Sequence, residues 1–325
     1  DFCVLGSGLS GSTIANLLSK KYKVEVIEKA KGIGGRASNK KINKSVSFDH
    51  GLQYFSPKNK KFRKYLNGFI KKGILKYWEG NHLDFTLKKR ADDKKIIGVK
   101  GNNDLNKFLL KKIKKNLNEE IKHIKFKNDH WEVFGATSKF KTKNIIITFP
   151  YEQTVELAKK YLKSNFLKLK VKMNPNLTLL LSHKTKKLIP ISSIKVDKSL
   201  IFWMAHENSK KRFSKKESYW TVQTSKNFSK KIIKSYKKRR NYYSNLIAKE
   251  FSNFLNLDPK TLKIFKIHGW KYSYNFNKTN HKFYWCKKFR IGVCGDWFIG
   301  PNAESSWESA NSLFNNIKKN PPSKT

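Results

Sequence analysis

The residues with the clearest chemical signature form a glycine turn near the start of the chain, Gly6-Ser7-Gly8-Leu9-Ser10-Gly11. The turn separates an apolar run from a helical pattern, and Glu28 ends the next apolar run. In such a unit Gly6 permits the tight turn, Gly8 lets the backbone approach a pyrophosphate, and Gly11 packs the helix against the strand. A carboxylate at the position of Glu28 can hold a ribose diol. The pattern predicts dinucleotide binding.

A second glycine cluster, Gly32-Ile33-Gly34-Gly35-Arg36, indicates which dinucleotide is bound. Nicotinamide-binding domains have no such element here, whereas paired glycines followed by arginine bring backbone and guanidinium to the pyrophosphate of FAD in flavoproteins with a two-dinucleotide fold. The segment Phe48–Phe55 is polar and aromatic around Gly51, as expected for the lining of a planar ring. His50 lies in this segment and is a candidate for the substrate pocket.

The elements that would position these residues begin with a βαβ unit. We predict a strand at Phe2–Leu5, a helix at Ser12–Lys20 and a parallel strand at Val24–Ile27. A helix at Lys107–Leu117 and a buried strand at Asn144–Phe149 follow, the latter stopped by proline.

The second half mixes strands with one long helix, predicted at Tyr242–Leu255. A strand at Arg290–Cys294 leads into Gly295-Asp296, and the terminal helix is predicted at Ser306–Lys319. The sequence pattern contains no internal repeat.

The ordered set of motifs resembles one known family, the renalase-like FAD-dependent oxidoreductases of the flavin amine oxidase superfamily. The resemblance spans essentially the whole chain. It rests on Gly6–Gly11 with Glu28, Gly34-Gly35-Arg36, Asp49-His50-Gly51-Leu52-Gln53-Tyr54, Trp131-Glu132-Val133, Thr148-Phe149-Pro150, Trp270-Lys271-Tyr272-Ser273, and Cys294-Gly295-Asp296 with the helix through Ser309-Ala310.

The resemblance implies an α/β fold in which a Rossmann-like FAD-binding domain carries an inserted α+β substrate domain. We assign residues 1–57, 97–165 and 286–325 to the first domain, and 58–96 and 166–285 to the second. The cofactor-binding residues implied by the motifs and the resemblance are Gly6, Gly8, Ser10, Gly11, Glu28, Gly35, Arg36, Gln53, Tyr54, Ile121 (through its backbone), Gly295, Asp296 and Ala310.

Two segments depart from the family pattern. Gly101-Asn102-Asn103 stands where a Gly-Met pair is common, and Glu304, Trp307 and Glu308 crowd a region where small residues usually precede the last helix. Both departures concern the surroundings of the substrate pocket more than the cofactor site.

Flavin chemistry asks little of side chains, because the cofactor accepts the hydride and the protein supplies position and electrostatics. Amides at the start of the last helix would stabilise negative charge on the reduced ring, and Asp296 would accept from a ribityl or ribose hydroxyl. Trp270 is the second candidate for the substrate pocket, although a core role is nearly as consistent with the sequence. No hydrolase or metal signature is present, so we expect no metal site.

Net charge and cysteine content limit the partners and the cellular location that the sequence allows. The chain has 325 residues and a formal charge of +48, and 64 of its 71 basic residues are lysine. Scattered lysines fit a solvated surface shaped by codon drift better than a nucleic-acid site, which favours arginine. Three cysteines without metal-ligand spacing indicate reduced thiols and a cytoplasmic protein. No apolar run is long enough to cross a bilayer.

Three functions remain open at this point. The first is an FAD-dependent oxidoreductase that takes a hydride from a small reduced substrate onto flavin N5. The resemblance suggests a dihydronicotinamide (NAD(P)-type) compound, which can carry phosphate, with oxygen as acceptor. The second is a flavin amine oxidase, disfavoured because a +48 protein repels cationic amines. The third is a polyanion-binding protein that keeps a flavin fold, with Lys210-Lys211-Arg212, Lys230-Lys231 and Lys237-Lys238-Arg239-Arg240 as its basic clusters.

Overall fold

The computed structural model describes residues 1–84, 86–88, 94–185, 189–197, 199–213 and 217–321; the few other residues of the two predicted domains lie outside it. The helices of this part of the chain are α1 (Leu9–Leu18), α2 (Lys60–Lys71), α3 (Asp104–Leu109), α4 (Tyr151–Ala158), α5 (Ser164–Leu167), α6 (Lys226–Ile232), α7 (Arg240–Leu255) and α8 (Ala303–Lys319).

The strands of the same ranges are β1 (Phe2–Leu5), β2 (Val24–Glu28), β3 (Asn39–Lys41), β4 (Ser47–Asp49), β5 (Leu75–Tyr77), β6 (His82–Leu83), β7 (Ile96–Gly98), β8 (Lys114–Leu117), β9 (His123–Lys127), β10 (His130–Phe134), β11 (Lys139–Thr142), β12 (Asn144–Ile147), β13 (Asn174–His183), β14 (Ser193–Lys195), β15 (Ile201–His206), β16 (Ser218–Thr224), β17 (Leu262–Tyr274), β18 (Tyr284–Cys286) and β19 (Ile291–Val293).

The first sheet has the order β18-β19-β12-β1-β2-β8. All its neighbours are parallel except β18, which runs antiparallel to β19 at the edge. Strands β1 and β12 are buried at every position, and all their residues except Asn144 are apolar, because helices or a small three-stranded sheet cover both faces. The α/β architecture with a Rossmann-like unit at its start is therefore confirmed.

The helix predicted at Lys107–Leu117 is wrong beyond Leu109. Helix α3 ends at Leu109, and Lys114–Leu117 forms strand β8, parallel to β2 with Glu25 opposite Lys114. Lysine and asparagine have no strong strand preference, so the local sequence does not predict this strand. The strand exists because the open edge of β2 offers unpaired backbone groups.

The second sheet has the order β17-β13-β16-β15-β14-β6. Helix α7 covers one face, where the side chains are apolar. Cross-strand partners share a face, and one row on the opposite face consists of His268, Thr178, Gln223, Trp203 and Lys195. We call this second surface the polar face, and it lies against the segment 49–54.

Within the described residues, no helix combines the length and apolar character needed to cross a membrane. The three cysteines are all buried with free thiols. Burial raises the pKa of Cys294, and also that of Cys3, so neither thiol is activated.

Candidate functional site

The first glycine turn has the geometry of a loop that can receive an anion. Gly6 has φ +104°, and a Cβ there would lie 2.6 Å from Thr148 Oγ1. A Cβ on Gly8, by contrast, would meet nothing within 4 Å. The residue after Gly8 begins α1, whose first amides have no intrahelical partner. The turn thus leaves open space next to free N–H groups, as a bound pyrophosphate requires.

Glu28 is fixed against this turn rather than exposed at a strand end. Its Oε2 accepts from Ser7 N at 2.9 Å and from Ser7 Oγ at 2.8 Å, and its Oε1 accepts from Ala30 N at 2.9 Å. Glu119 N donates to the backbone oxygen of Glu28 at 3.0 Å, which brings the chain near Ile121 to the same place. The carboxylate, the turn and the backbone before β9 therefore surround one site.

The second glycine turn lies back to back with the first. Gly35 has φ +52°, and a Cβ on it would lie 3.0 Å from Gly8 Cα. Arg36 follows and makes a two-pronged ion pair with Asp296, with Nη–Oδ distances of 2.8 and 2.5 Å. It also donates to Ser273 O at 2.7 Å. Two predicted cofactor residues, far apart in sequence, are thus brought together and hold each other in place.

The last helix starts three residues earlier than predicted, at Ala303, and Asn302 caps it by accepting from Ser305 N at 2.8 Å. Ser10 Oγ donates to Ser306 O at 3.2 Å and so joins α1 to α8. Ala310 has no exposed surface and lies in the apolar cluster that includes residues of α1; its contact with the cofactor stays a prediction. Gly295 lies next to the indole of Trp297.

The segment 49–54 is held from both sides. Gln53 Nε2 donates to the backbone oxygens of Asp49 and Gly51, the latter at 3.1 Å, and Gly51 O also accepts from Gln223 Nε2 of the polar face at 2.7 Å. The ring of Tyr54 lies 5.5 Å from Trp203. The segment is therefore rigid and bonded to the second sheet.

His50, His268 and Trp270 form an aromatic cluster over this segment. Ring centroids are 5.1 Å apart for His50–His268, 5.1 Å for His50–Trp270 and 4.4 Å for His268–Trp270. Trp270 Nε1 donates to His50 O at 3.0 Å. His50 is 9% exposed, and its Nδ1 has no hydrogen-bond partner among the described residues. Both pocket candidates from the sequence thus meet here, together with His268, which no motif in the sequence marks.

Both histidines of this cluster are uncharged at neutral pH. Burial, and then the neighbouring His268, lower the pKa of His50 to about 4. Burial, and then Lys266, lower the pKa of His268 to about 4. Burial also lowers the pKa of His206, on β15, to about 4.

These shifts predict acid sensitivity between pH 6.5 and pH 4. In that window the unfolded chain binds a proton on each histidine and the folded chain does not. The contribution of these histidines to the free energy of unfolding is therefore complete above about pH 6.5 and decreases as the pH falls. For His50 the loss between pH 7 and pH 5 amounts to about 2 kcal/mol. Urea unfolding at the two pH values measures it. We expect His50→Gln to flatten the dependence by that amount, and the exposed-residue control His281→Gln to leave it unchanged. Equal slopes for wild type and His50→Gln would contradict the assignment.

Beneath the segment lies a buried ionic cluster of two acids and two bases, Asp49, Glu207, Lys210 and Arg212. Lys210 Nζ lies 2.9 Å from Asp49 Oδ2 and 2.9 Å from Glu207 Oε1, and Arg212 also bonds Asp49. The side chains of Lys210, Asp49 and Glu207 are 0% exposed. Burial opposes ionisation of Asp49, but Arg212 and Lys210 outweigh it and hold the pKa of that carboxyl below its usual range. Burial raises the pKa of Glu207.

This cluster corrects the interpretation of Lys210-Lys211-Arg212 as an exposed polyanion-binding stretch. Only Lys211 is exposed: it follows a short 3₁₀ helix in the left-handed conformation, with φ +51°, and the side chains of its two neighbours are buried. The signal that could have revealed this was the scarcity of arginine and the spacing of Glu207 and Lys210, one helical turn apart.

The two departures from the family pattern also have structural roles. Asn102 is buried, accepts from Arg212 Nη2 at 3.1 Å, and donates to Asp49 Oδ1 through its backbone and to Leu52 O through its side chain. Glu304 accepts from the backbone of Lys58, just before α2, at 2.8 Å. Both therefore support the segment 49–54 or its neighbouring helix. Among the described residues, no group of three or more histidine, cysteine or acidic side chains could hold a metal ion.

Comparison with known proteins agrees with this geometry. Residues 4–69 match the family model of the NAD(P)-binding Rossmann-like domain. Among solved structures, a protein from Exiguobacterium sp. 255-15, named provisionally as a protoporphyrinogen oxidase, is similar over 98% of both chains, with a TM-score of 0.73 and 9% identity.

Putrescine oxidase bound to putrescine is similar over 98% of this chain and 99% of its own, with a TM-score of 0.67 and 10% identity. An oxidoreductase from Methanosarcina mazei is similar over 97% and 99%, with a TM-score of 0.68 and 11% identity. The chain therefore shares the mixed α/β fold of these oxidoreductases, and its first part matches a Rossmann-like domain.

Proposed function

We propose that the protein is an FAD-dependent oxidoreductase that takes a hydride from a small reduced substrate of the dihydronicotinamide type, with oxygen as acceptor. The observation that carries the proposal is the open side of Gly8 at the start of α1, with Glu28 fixed beside it. This pairing of a free helix N-terminus and a carboxylate fits a pyrophosphate and a ribose diol.

In this proposal the cofactor lies across both glycine turns. Gly6, Gly8 and Gly11 shape the first turn, Glu28 accepts from the ribose, and the backbone near Ile121 faces the adenine. Arg36 and Asp296 lie at the second turn, where the Arg36 side chain is 32% exposed and Asp296 would accept from a ribityl hydroxyl. When bound, FAD supplies the hydride acceptor at N5.

The substrate would lie beside the junction of the segment 49–54 with the polar face. His50 and Trp270 are in ring contact at one end of this junction, and Tyr54 and Trp203 are in ring contact at the other. These rings suit a flat, uncharged heterocycle, and the uncharged imidazoles add no repulsion. Gln53 and Gly51 hold the segment 49–54 in position, because Gln53 accepts a hydrogen bond from Lys210 and Gly51 accepts one from Gln223.

A cationic amine suits this space less well. One of these rings, Tyr54, already has a lysine of the chain against it, with Lys95 Nζ 5.5 Å from the ring centroid, and Lys210 Nζ lies 5.1 Å from the nearby Trp78 ring. The dihydronicotinamide proposal therefore ranks above amine oxidation, although the putrescine-bound enzyme shares the fold.

The test is the colour and the reduction of the purified protein. We expect flavin absorption bands with one FAD per chain, released by denaturation and regained on adding FAD. Anaerobic mixing with reduced nicotinamide mononucleotide, its isomers reduced at other ring positions, and putrescine should bleach the bands only with a dihydronicotinamide. A colourless protein that gains no band with FAD overturns the proposal, and bleaching by putrescine alone replaces the substrate class.

A further inference from the structure

Three asparagine side chains from one short segment each hold a different part of the predicted cofactor site. Asn102 and Asn103 lie between β7 and α3, and Asn106 lies in the first turn of α3. All three are at most 5% exposed. We call them the asparagine triplet. In chain order, its members bond the segment 49–54, the second glycine turn and the first glycine turn.

The first two members act on the later parts of the cofactor site. Asn102 Nδ2 donates to Leu52 O at 2.7 Å, in the segment 49–54. Asn103 Nδ2 donates to Ile33 O at 2.9 Å, in the second glycine turn. A Cβ on Gly34, which has φ +127°, would lie 2.6 Å from Asn103 Cβ. Asn103 therefore both bonds this turn and packs directly against its backbone.

The third member acts on the first glycine turn. Asn106 Nδ2 donates to Ser7 O at 3.3 Å and to Ser12 Oγ at 2.9 Å, so it bonds the turn and the helix that follows it. Ser7 also joins the two turns directly, because its Oγ accepts from Gly34 N at 3.3 Å. Asn103 is the residue before α3 and Asn106 follows three positions later. The start of α3 is thus a common support for both turns.

Glycine turns need a support of this kind because glycine restricts its own backbone very little. A turn that moves in the free protein must be ordered when a ligand binds, and the ordering lowers affinity. Both turns would face one pyrophosphate, so a shift of either turn moves its amides away from the phosphate oxygens. A side-chain amide that bonds a backbone carbonyl fixes the turn and leaves its backbone N–H groups available to the ligand.

The carbonyl groups of two triplet side chains are not used. Asn103 Oδ1 and Asn106 Oδ1 are buried and accept no hydrogen bond within the described residues. A buried acceptor without a donor costs free energy, which an apolar side chain of the same size would avoid. The two asparagines are therefore explained by what their N–H groups hold and not by packing alone.

We propose that Asn103 and Asn106 are positioning residues for the bound dinucleotide, because they hold the two glycine turns at the spacing that one pyrophosphate requires. The identity of the dinucleotide as FAD rests on the proposed function, whereas the positioning of the turns does not. The two residues act through the turns, and their effect is on the affinity for the dinucleotide.

The experiment compares Asn103→Leu and Asn106→Leu with the matched control Asn144→Leu. Asn144 is buried, its Nδ2 donates to Asp1 O at 3.0 Å, and its Oδ1 also has no donor within the described residues. It begins β12, whose other end lies beside the first glycine turn, so the control loses the same interactions away from the site. The Kd for FAD is measured by titration of each apoprotein, and urea unfolding gives its stability.

We expect the Kd for FAD to rise at least about tenfold in both triplet variants and to change less than about twofold in Asn144→Leu. This difference should persist where the unfolding midpoints of the three variants fall equally. An unchanged Kd in the triplet variants, or an equal rise in Asn144→Leu, would show a role in stability alone and would overturn the positioning role.

A measurement on the wild type decides the question if a variant does not fold. In the apoprotein, the Gly34 amide that donates to Ser7 Oγ should exchange with solvent at least about tenfold more slowly than in an unstructured peptide. Slow exchange shows that the turns are held before the ligand binds. Exchange at the rate of the peptide would mean that the turns form only with the ligand, which contradicts the proposal.

The same titrations distinguish this role from the proposed function. If the wild type binds NADPH but no FAD, the proposed function fails, and the Kd values of the same variants for NADPH then decide the positioning role. If the wild type binds neither dinucleotide, both the proposed function and the positioning role are wrong.

Discussion

Replacing Lys210 by methionine should lower the free energy of unfolding by about 3–5 kcal/mol. The substitution keeps the length of the side chain but removes the charge that Asp49 and Glu207 share at 2.9 Å. Glu207 then keeps one hydrogen bond, from Thr221, in a site without water access. Urea unfolding at pH 7 measures the loss. Because Lys210 also bonds Gln53, the same variant should loosen the segment 49–54 and weaken any ligand held there.

The neighbouring lysine provides the control. Lys211→Met removes an exposed charge next to the cluster, and we expect a change within about 0.5 kcal/mol. Adding Glu207→Gln to Lys210→Met should recover part of the loss, because the uncompensated carboxylate is gone. Equal stability of the Lys210→Met and Lys211→Met proteins would show that the cluster contributes no stability.

Replacing Gly11 by alanine should destabilise the protein by about 3 kcal/mol or more and abolish dinucleotide binding. The new Cβ would lie 2.0 Å from Gly6 O and 2.9 Å from Thr148 Oγ1, and the first of these is backbone that cannot swing away. Helix α1 must therefore move off β1. A lowered unfolding midpoint together with loss of FAD from the purified protein is the expected result.

Gly8→Ala separates folding from binding at the same turn. Gly8 has φ −64°, which any residue adopts, and its Cβ would meet nothing in the ligand-free chain. Stability should stay unchanged or rise by about 0.4–1 kcal/mol, whereas FAD affinity should fall at least about tenfold. Unaltered affinity would mean that the cofactor does not pass over Gly8, and the proposed function would lose its main support.

The sequence predicted the parts of the fold that depend on local signals. The glycine turn, the carboxylate of Glu28 and the buried strand at 144–147 all follow from short patterns whose physical causes are contained in a few residues. Strand β8 does not, because an edge strand is selected by the neighbour that it pairs with. No periodicity in Lys114–Leu117 carries that information.

The site was less predictable than the fold because its chemistry depends on pairs distant in sequence. Arg36 was expected to face a phosphate, but its partner Asp296 is 260 residues away and could not be paired with it from spacing. Lys210 was predicted to be exposed together with its neighbours, since a run of basic residues is typical of a solvated surface. His268 was not singled out, because only the pairing of β17 with β13 turns its side chain toward His50.

The pairing of β19 with β12, and the packing of α8 on α1, have a consequence for how the protein is made. A ribosome releases the first dinucleotide-binding elements early, but β1 and β12 stay without a completed sheet until residues 284–293 emerge. The second sheet must therefore fold, or remain unfolded, while the first sheet still lacks β19 and β18 beside β12. Nascent chains halted before β19 should accordingly stay protease-sensitive throughout the first sheet, and they should become resistant in a single step once α8 has left the tunnel.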